Sequence, residues 1–246
     1  MTITLLDFEP KNKLCKQSIM NVDFLVPSTT KNTDWNVTED THLYRIFFNS
    51  LSIHRPDFTG AIYIGYDEDD EIWSKQSERE KINNKYSCQF DIRWRAVKPD
   101  RGNVVSVWNY LASQSTAEYL FICGDDIKFP NDKYWLTLFV KILKNQNDFG
   151  WSAGWSNNDL IATQFLIHRK HVDYFGWVYP PQLKNYYCDD FLFNVYPECC
   201  RGWRKDYPLL NCGGAPRYTP ENDKILCEKL VQRHKQTLLN TINRKK

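Results

Sequence analysis

Two pairs of adjacent aspartates carry the most chemistry in this chain. Asp125 and Asp126 close "EYLFICGDD" (118–126), an apolar run that stops at two carboxylates, and Asp189 and Asp190 open "CDDFLFNVY" (188–196). Carboxylates at the end of a strand offer hard oxygen ligands to Mg2+ or Mn2+, cations that keep part of their shell for substrate phosphates. A carboxylate within reach of a hydroxyl acts as a general base. The pairs therefore point to a metal–diphosphate substrate and to proton abstraction. The plain alternatives are turn residues for the first pair, with Asp132 on hand to cap the following helix, and N-terminal helix caps for the second.

Aromatic residues crowd the second pair: Trp151, Trp155, Tyr174, Phe175, Trp177 and Tyr179. Their rings fill cores or stack on the apolar faces of sugars. Trp155, Trp177 and Tyr179 are the expected acceptor-binding residues, the two tryptophans because "GWSNND" and "FGWV" read as loops. The histidines form no H-x-E or H-E-x-x-H spacing, so zinc chemistry has no signature, and His234 reads as a surface residue of an amphipathic helix, "DKILCEKLVQRHKQTLLN". "NCGGAPRYTPEND" (211–223), glycine-rich and polar, suits a lid over a bound substrate.

Elements that could position these groups alternate along the chain. Strand patterns at 22–28, 61–67, 91–97, 118–123, 149–155 and 162–168 interleave with helical patterns at 38–53, 77–86, 102–113 and 132–146. Such alternation predicts an α/β/α sandwich with a mostly parallel central sheet and ligands at the carboxyl ends of the strands. "PSTT" (27–30), "YDEDD" (66–70), "VKPDR" (97–101) and "GDD" (124–126) then share one edge. Neither G-x-x-x-x-G-K-S nor G-x-G-x-x-G occurs.

With 246 residues, 42% apolar and 15% aromatic, the chain can bury a large core. Its 32 basic and 30 acidic groups nearly cancel, which removes a global field for nucleic acid. The basic tail "NRKK" is the one candidate for peripheral contact with an anionic membrane. Asp7, Glu9 and Pro10 interrupt any signal-like apolar region, and no segment reaches the roughly 18–20 apolar residues of a membrane span, so a cytoplasmic location is expected. Eight cysteines without a C-x-x-C pair read as reduced thiols, with a disulfide among the four at 199–227 only in an oxidising compartment; "NVT" at Asn36 reads as chance.

The order strand, "PSTT", strand ending at Asp67, helix "GNVVSVWNYL", strand, "GDD" resembles the GT-A class of nucleotide-sugar-dependent glycosyltransferases over about residues 20 to 200. The resemblance implies a GT-A-like catalytic domain over 1–246: an extension at 1–20, a donor half at 20–126, an acceptor half at 127–210, and a lid-like loop with a C-terminal helix at 211–246. It implies a nucleotide-sugar donor, UDP-linked, and a glycan or glycoconjugate acceptor. Asp126 matches the metal ligand of the class motif, for Mn2+ or Mg2+, and Asp125 the residue that bonds ribose or sugar. Gly124 stands where many members carry an acid.

Ser28, Thr29 and Asp67 match positions that hold the nucleoside, and Lys98 and Arg101 face the diphosphate or are solvated loop cations. In inverting members the second acid of a late pair is the base, which implies Asp190, with Asp189 as fallback; "CDDFLFN" is also similar to retaining exostosin-like enzymes, so inversion is only slightly favoured. A carbohydrate-binding module without catalysis, a metal-dependent phosphohydrolase or nuclease, and a sugar nucleotidyltransferase are the competing readings. The last is disfavoured by the absence of glycine from "VPSTTKNTDW".

Overall fold

The computed structural model describes residues 19–100 and 102–243; Arg101, the tail beyond Asn243 and the segment ahead of Ile19 lie outside the described residues. β1 (Met20–Pro27) leads through a 3-10 turn (Thr38–Asp40) to a helical run that begins as a π-helix (Leu43–Phe48) and closes as α1 (Asn49–Ile53). β2 (Phe58–Thr59) and β3 (Ala61–Asp67) precede α2 (Gln76–Tyr86), and β4 (Asp91–Val97) precedes α3 (Val104–Gln114). β5 (Tyr119–Ile122) and the short β6 (Ile127–Lys128) lead to α4 (Trp135–Asn145). Then come β7 (Trp151–Trp155), β8 (Phe165–His168), α5 (Lys170–Phe175), α6 (Cys188–Val195), β9 (Arg201–Pro208), β10 (Leu210–Asn211) and α7 (Lys224–Asn243).

The main sheet runs β4-β3-β1-β5-β8-β7-β9, with β2 beside β1. β4, β3, β1 and β5 are mutually parallel, β8 is antiparallel to both its neighbours, and β9 is parallel to β7. All strands of this path except β8 therefore run the same way, so the exits of β1, β3, β5, β7 and β9 and the entry of β8 meet on one edge.

Strand periodicity splits β1 between two cores. Val22, Phe24 and Val26 join Ile62, Ile64 and Phe121 under Leu51, Ile82, Tyr86, Trp135 and Phe139, which come from α1, α2 and α4. Leu25 joins Tyr63, Leu120 and Ile122 on the opposite face, under Leu111, Phe191, Leu192 and Leu230 from α3, α6 and α7. This is the expected α/β/α sandwich.

The single helix expected at 38–53 is broken up. Phe47 and Phe48 are both fully buried, with ring centroids 5.2 Å apart. Adjacent residues of an α-helix diverge by about 100°, and the wider π turn lessens that angle so both rings reach one core. The outer strands are basic: Arg93 and Arg95 lie on β4, and Arg201, Arg204 and Lys205 on β9. Among the described residues no helix is long and apolar enough to cross a membrane.

Candidate active site

The carboxyl edge is held together by buried acids. Asp70, fully buried, accepts hydrogen bonds from Thr30 N at 2.7 Å, Thr30 Oγ1 at 2.6 Å and Thr29 Oγ1 at 3.1 Å, and from the amides of Ile72 and Trp73. These bonds fix the loop after β1. Ser28 Oγ donates to Asp125 Oδ2 at 2.7 Å and accepts from Trp73 Nε1 at 3.0 Å. Ser28 thus positions Asp125. Asp67, expected beside a nucleoside, pairs with Lys31 Nζ at 2.9 Å, and the same ammonium reaches Asp69.

Asp125 is 1% exposed, and its chief partner is Arg217. Arg217 Nη1 lies 2.9 Å from Asp125 Oδ2, Nη2 bonds Oδ1, and Nη1 also donates to the Thr29 carbonyl at 2.5 Å. Burial opposes the Arg217 charge, but Asp125, and after it Asp126, hold the guanidinium above its ordinary range. Asn32 Nδ2 donates to the Arg217 carbonyl at 2.7 Å, Cys212 N donates to the Asp126 carbonyl at 2.9 Å, and β10 pairs antiparallel with β6. The loop leaving β9 is therefore docked over "GDD".

Asp126 accepts no side-chain hydrogen bond from another described residue. Burial, then the charge of Asp125, push its carboxyl up to about 6. Glycines make room around it: a Cβ on Gly213 would lie 1.9 Å from Asp126 Oδ2 and one on Gly124 2.6 Å from Oδ1. A side chain at 124 would therefore require the Asp126 carboxylate to move aside. The Gly124 amide donates to Gln164 Oε1 at 3.0 Å, from the entry of β8.

A divalent cation has a fitting donor set here. His42, Asp125 and Asp126 present ligand atoms all within 4.8 Å of one another. His42 Nδ1 is buried without a hydrogen-bond partner, and burial holds the imidazole below its ordinary range, leaving its lone pair free.

The second acid pair occupies the first turn of α6. Burial, then Asp190, push Asp189 up to about 7, while Asp190 is raised less clearly, with burial opposed by Asp189 and Lys224. Asp189 Oδ1 accepts the Asp190 amide at 3.1 Å. Tyr187, just ahead, sits in the left-handed region at φ 68°, an unusual state for a bulky residue and a mark of local strain. Burial raises the Tyr218 phenol, and Cys188, Tyr186, Asp189 and Asp126 add to that rise in that order. Asn185 ties this region together, donating to the carbonyls of Gly102 at 2.8 Å and Thr219 at 3.3 Å and accepting from Glu221 N at 3.0 Å.

Several expected site residues lie elsewhere. Tyr179 is 1% exposed and packs edge-on to Trp108, so it is a core ring with no face for an acceptor. Trp177 stacks on Phe175 at 4.8 Å and meets Phe191 and His234 at 5.5 and 5.6 Å, which makes it part of the packing between α5, α6 and α7. His234 is part of that cluster too, not a plain surface residue. Trp155 remains half-exposed at the end of β7, with Nε1 on Asp159 at 2.9 Å. Lys98 is exposed with no side-chain partner among the described residues, and Arg101 falls outside them. Cys88, Cys123, Cys188, Cys199, Cys212 and Cys227 are free thiols.

Sequence reasoning missed Arg217 and His42. Neither has a local signal, since Arg217 lies 92 residues from Asp125 and His42 belongs to no spaced motif.

Solved structures share this architecture. S. aureus TarS 1-349 in complex with UDP-GlcNAc matches at a TM-score of 0.58 and 14% identity, covering 87% of this chain and 66% of that one. The UDP complex of the same protein matches at 0.57 and 13%, covering 87% and 65%. The mannosyltransferase PcManGT from Pyrobaculum calidifontis, in complex with GDP-Man and Mn2+, matches at 0.57 and 11%, covering 93% and 65%. The chain thus spans less than two thirds of the length of each. No family model and no curated protein sequence matches. The likenesses show the fold, which is of the GT-A type.

Proposed function

We propose that this chain is a glycosyltransferase that moves a sugar from a nucleoside-diphosphate sugar, UDP-linked, to a hydroxyl of a glycan or glycoconjugate. One observation carries the reading: on a GT-A-type sheet, the chain leaving β5 presents Asp125, buried, and Asp126 with a ring nitrogen of His42 within 4.8 Å of both. The neighbours bound to UDP, UDP-GlcNAc, and GDP-Man with Mn2+ support a nucleotide-sugar donor, the first two its UDP-linked form.

In this reading Asp125 serves the ribose or sugar and Asp126 holds a divalent cation, Mn2+ or Mg2+. When bound, that cation supplies positive charge for the departing diphosphate. Because Arg217 now occupies Asp125, the loop it belongs to lifts for the donor to enter; on closing again, the guanidinium turns toward the diphosphate and the loop excludes water. Asp190 takes the acceptor proton. Asp189, its carboxyl pushed up to about 7 by burial and by Asp190, is the member that holds a proton near neutral pH, and Asp190 is the base of this reading. Attack by the hydroxyl so activated inverts the anomeric centre. Trp155 is the remaining candidate to stack on the acceptor.

The test is donor hydrolysis and transfer across a panel of nucleotide-sugars with Mn2+. One UDP-sugar should be turned over, and Asp126→Ala should abolish that activity while the protein stays folded. Activity surviving intact in Asp126→Ala would remove the metal assignment, and failure to bind any nucleotide would remove the reading itself.

A further inference from the structure

We propose that His42 is a nitrogen ligand of the cation site, so that the site is built for Mn2+ in preference to Mg2+. The proposal rests on the reading of Asp126 as a cation-holding acid and adds a residue that neither motif nor spacing assigns.

Asp125 is largely committed: Ser28 and Arg217 Nη1 share Oδ2 and Arg217 Nη2 takes Oδ1. Two groups beside it remain uncommitted, the Asp126 carboxylate and His42 Nδ1. A buried ring nitrogen without a partner forfeits its hydration for nothing, and such groups in native folds normally have a reason. Here the reason lies opposite. The ligand atoms of His42, Asp125 and Asp126 fall within 4.8 Å of one another, whereas two ligands of an octahedral ion with bonds of roughly 2.1–2.2 Å stand about 3 Å apart in cis and about 4.3 Å in trans. A small movement brings Asp126 and His42 onto one ion.

The ring is also held in place. Trp35 meets it edge-on at 4.6 Å, and His42 stands directly ahead of the π-helix at Leu43–Phe48, a distortion often found at functional sites. A ring nitrogen of this histidine lies within 4.8 Å of a carboxylate oxygen of each aspartate.

The donor set decides the metal. Mg2+ prefers oxygen and gives up its waters reluctantly, while imidazole favours first-row transition metals; among these Mn2+ is the one that also suits carboxylates and phosphates. Removing the nitrogen should therefore cost Mn2+ more than Mg2+. A residue that only shaped the pocket would cost both alike.

Binding is measured with Mn2+ alone, by loss of the free-ion EPR signal, and with Mg2+ by competition, on the full chain and on Asp126→Ala, His42→Ala and His42→Gln, each checked for folding by circular dichroism. Asp126→Ala should abolish Mn2+ binding. His42→Ala should weaken Mn2+ by at least about tenfold and Mg2+ by less. His42→Gln, which offers an oxygen, should recover Mg2+ without the Mn2+ preference. The electron spin-echo of bound Mn2+ should carry imidazole nitrogen modulation in the parent chain and lose it in His42→Gln.

Equal weakening of both metals in a folded His42→Ala, or nitrogen modulation that persists in His42→Gln, overturns the proposal and leaves Asp126 as a ligand. Mn2+ binding that survives Asp126→Ala overturns the cation site itself. Calorimetry with UDP in metal-free buffer then shows separately whether the nucleotide reading stands.

Discussion

A carboxylate that takes a proton in a reaction must be ionised when the hydroxyl arrives, and on the proposed reading the paired acids on α6 divide that duty unequally. Asp190→Asn should lower transfer by about 10^2- to 10^4-fold while UDP binding, measured by calorimetry, is unchanged. Asp189→Asn keeps a neutral group in the place of one already protonated, and should retain much more activity. The same residue has a cost in stability. Its carboxyl rises from 3.8 to about 7 on folding, so its contribution is whole below the unfolded value and is lost as the pH climbs through the folded one. Asp189→Asn should therefore raise the unfolding free energy by up to about 4 kcal/mol at pH 8 and leave it unchanged near pH 3.5, read from urea melts. Both acid pairs were legible in the sequence because adjacent acids at the mouth of an apolar run are a local pattern. Arg217 and His42 were not, since only the fold brings them to Asp125 and Asp126.

Between β9 and α7 the chain does what composition foretold in kind and not in detail. The segment at 211–223 reads as a lid, and the structure shows what fastens it: Arg217 on Asp125, Asn32 on the Arg217 carbonyl, and Gly213 pressed against Asp126. Arg217→Ala should free the loop, seen as faster proteolysis there, and lower stability by about 3–5 kcal/mol because Asp125 is left buried with Ser28 alone. Arg217→Lys, lacking the planar fork, should recover only part. Strands β3 and β4 sit where their patterns placed them, at 61–67 and 91–97. β9 gave no pattern at all. "RGWRKDYP" mixes charges and aromatics because it borders β7 alone and leaves much of itself to water.

Across the molecule, alternation of strand and helix was enough to find the sandwich, because period two and period 3.6 sort residues to faces without long-range information. The reversal of β8 was not readable, since a short apolar run pairs equally well either way round. Both cores hang from β1. Phe24 packs among Phe47, Phe58, Phe121, Phe129 and Trp135, so Phe24→Ala should cost about 3–5 kcal/mol, and calorimetry should show one transition as the two faces melt together. The basic outer strands have a further effect. An open sheet offers unpaired amides and carbonyls at both borders, an invitation to stack copy upon copy. Arg93 and Arg95 against Asp91 at one border, and Arg201, Arg204 and Lys205 against Asp206 at the other, leave both borders with an excess of positive charge that opposes such stacking.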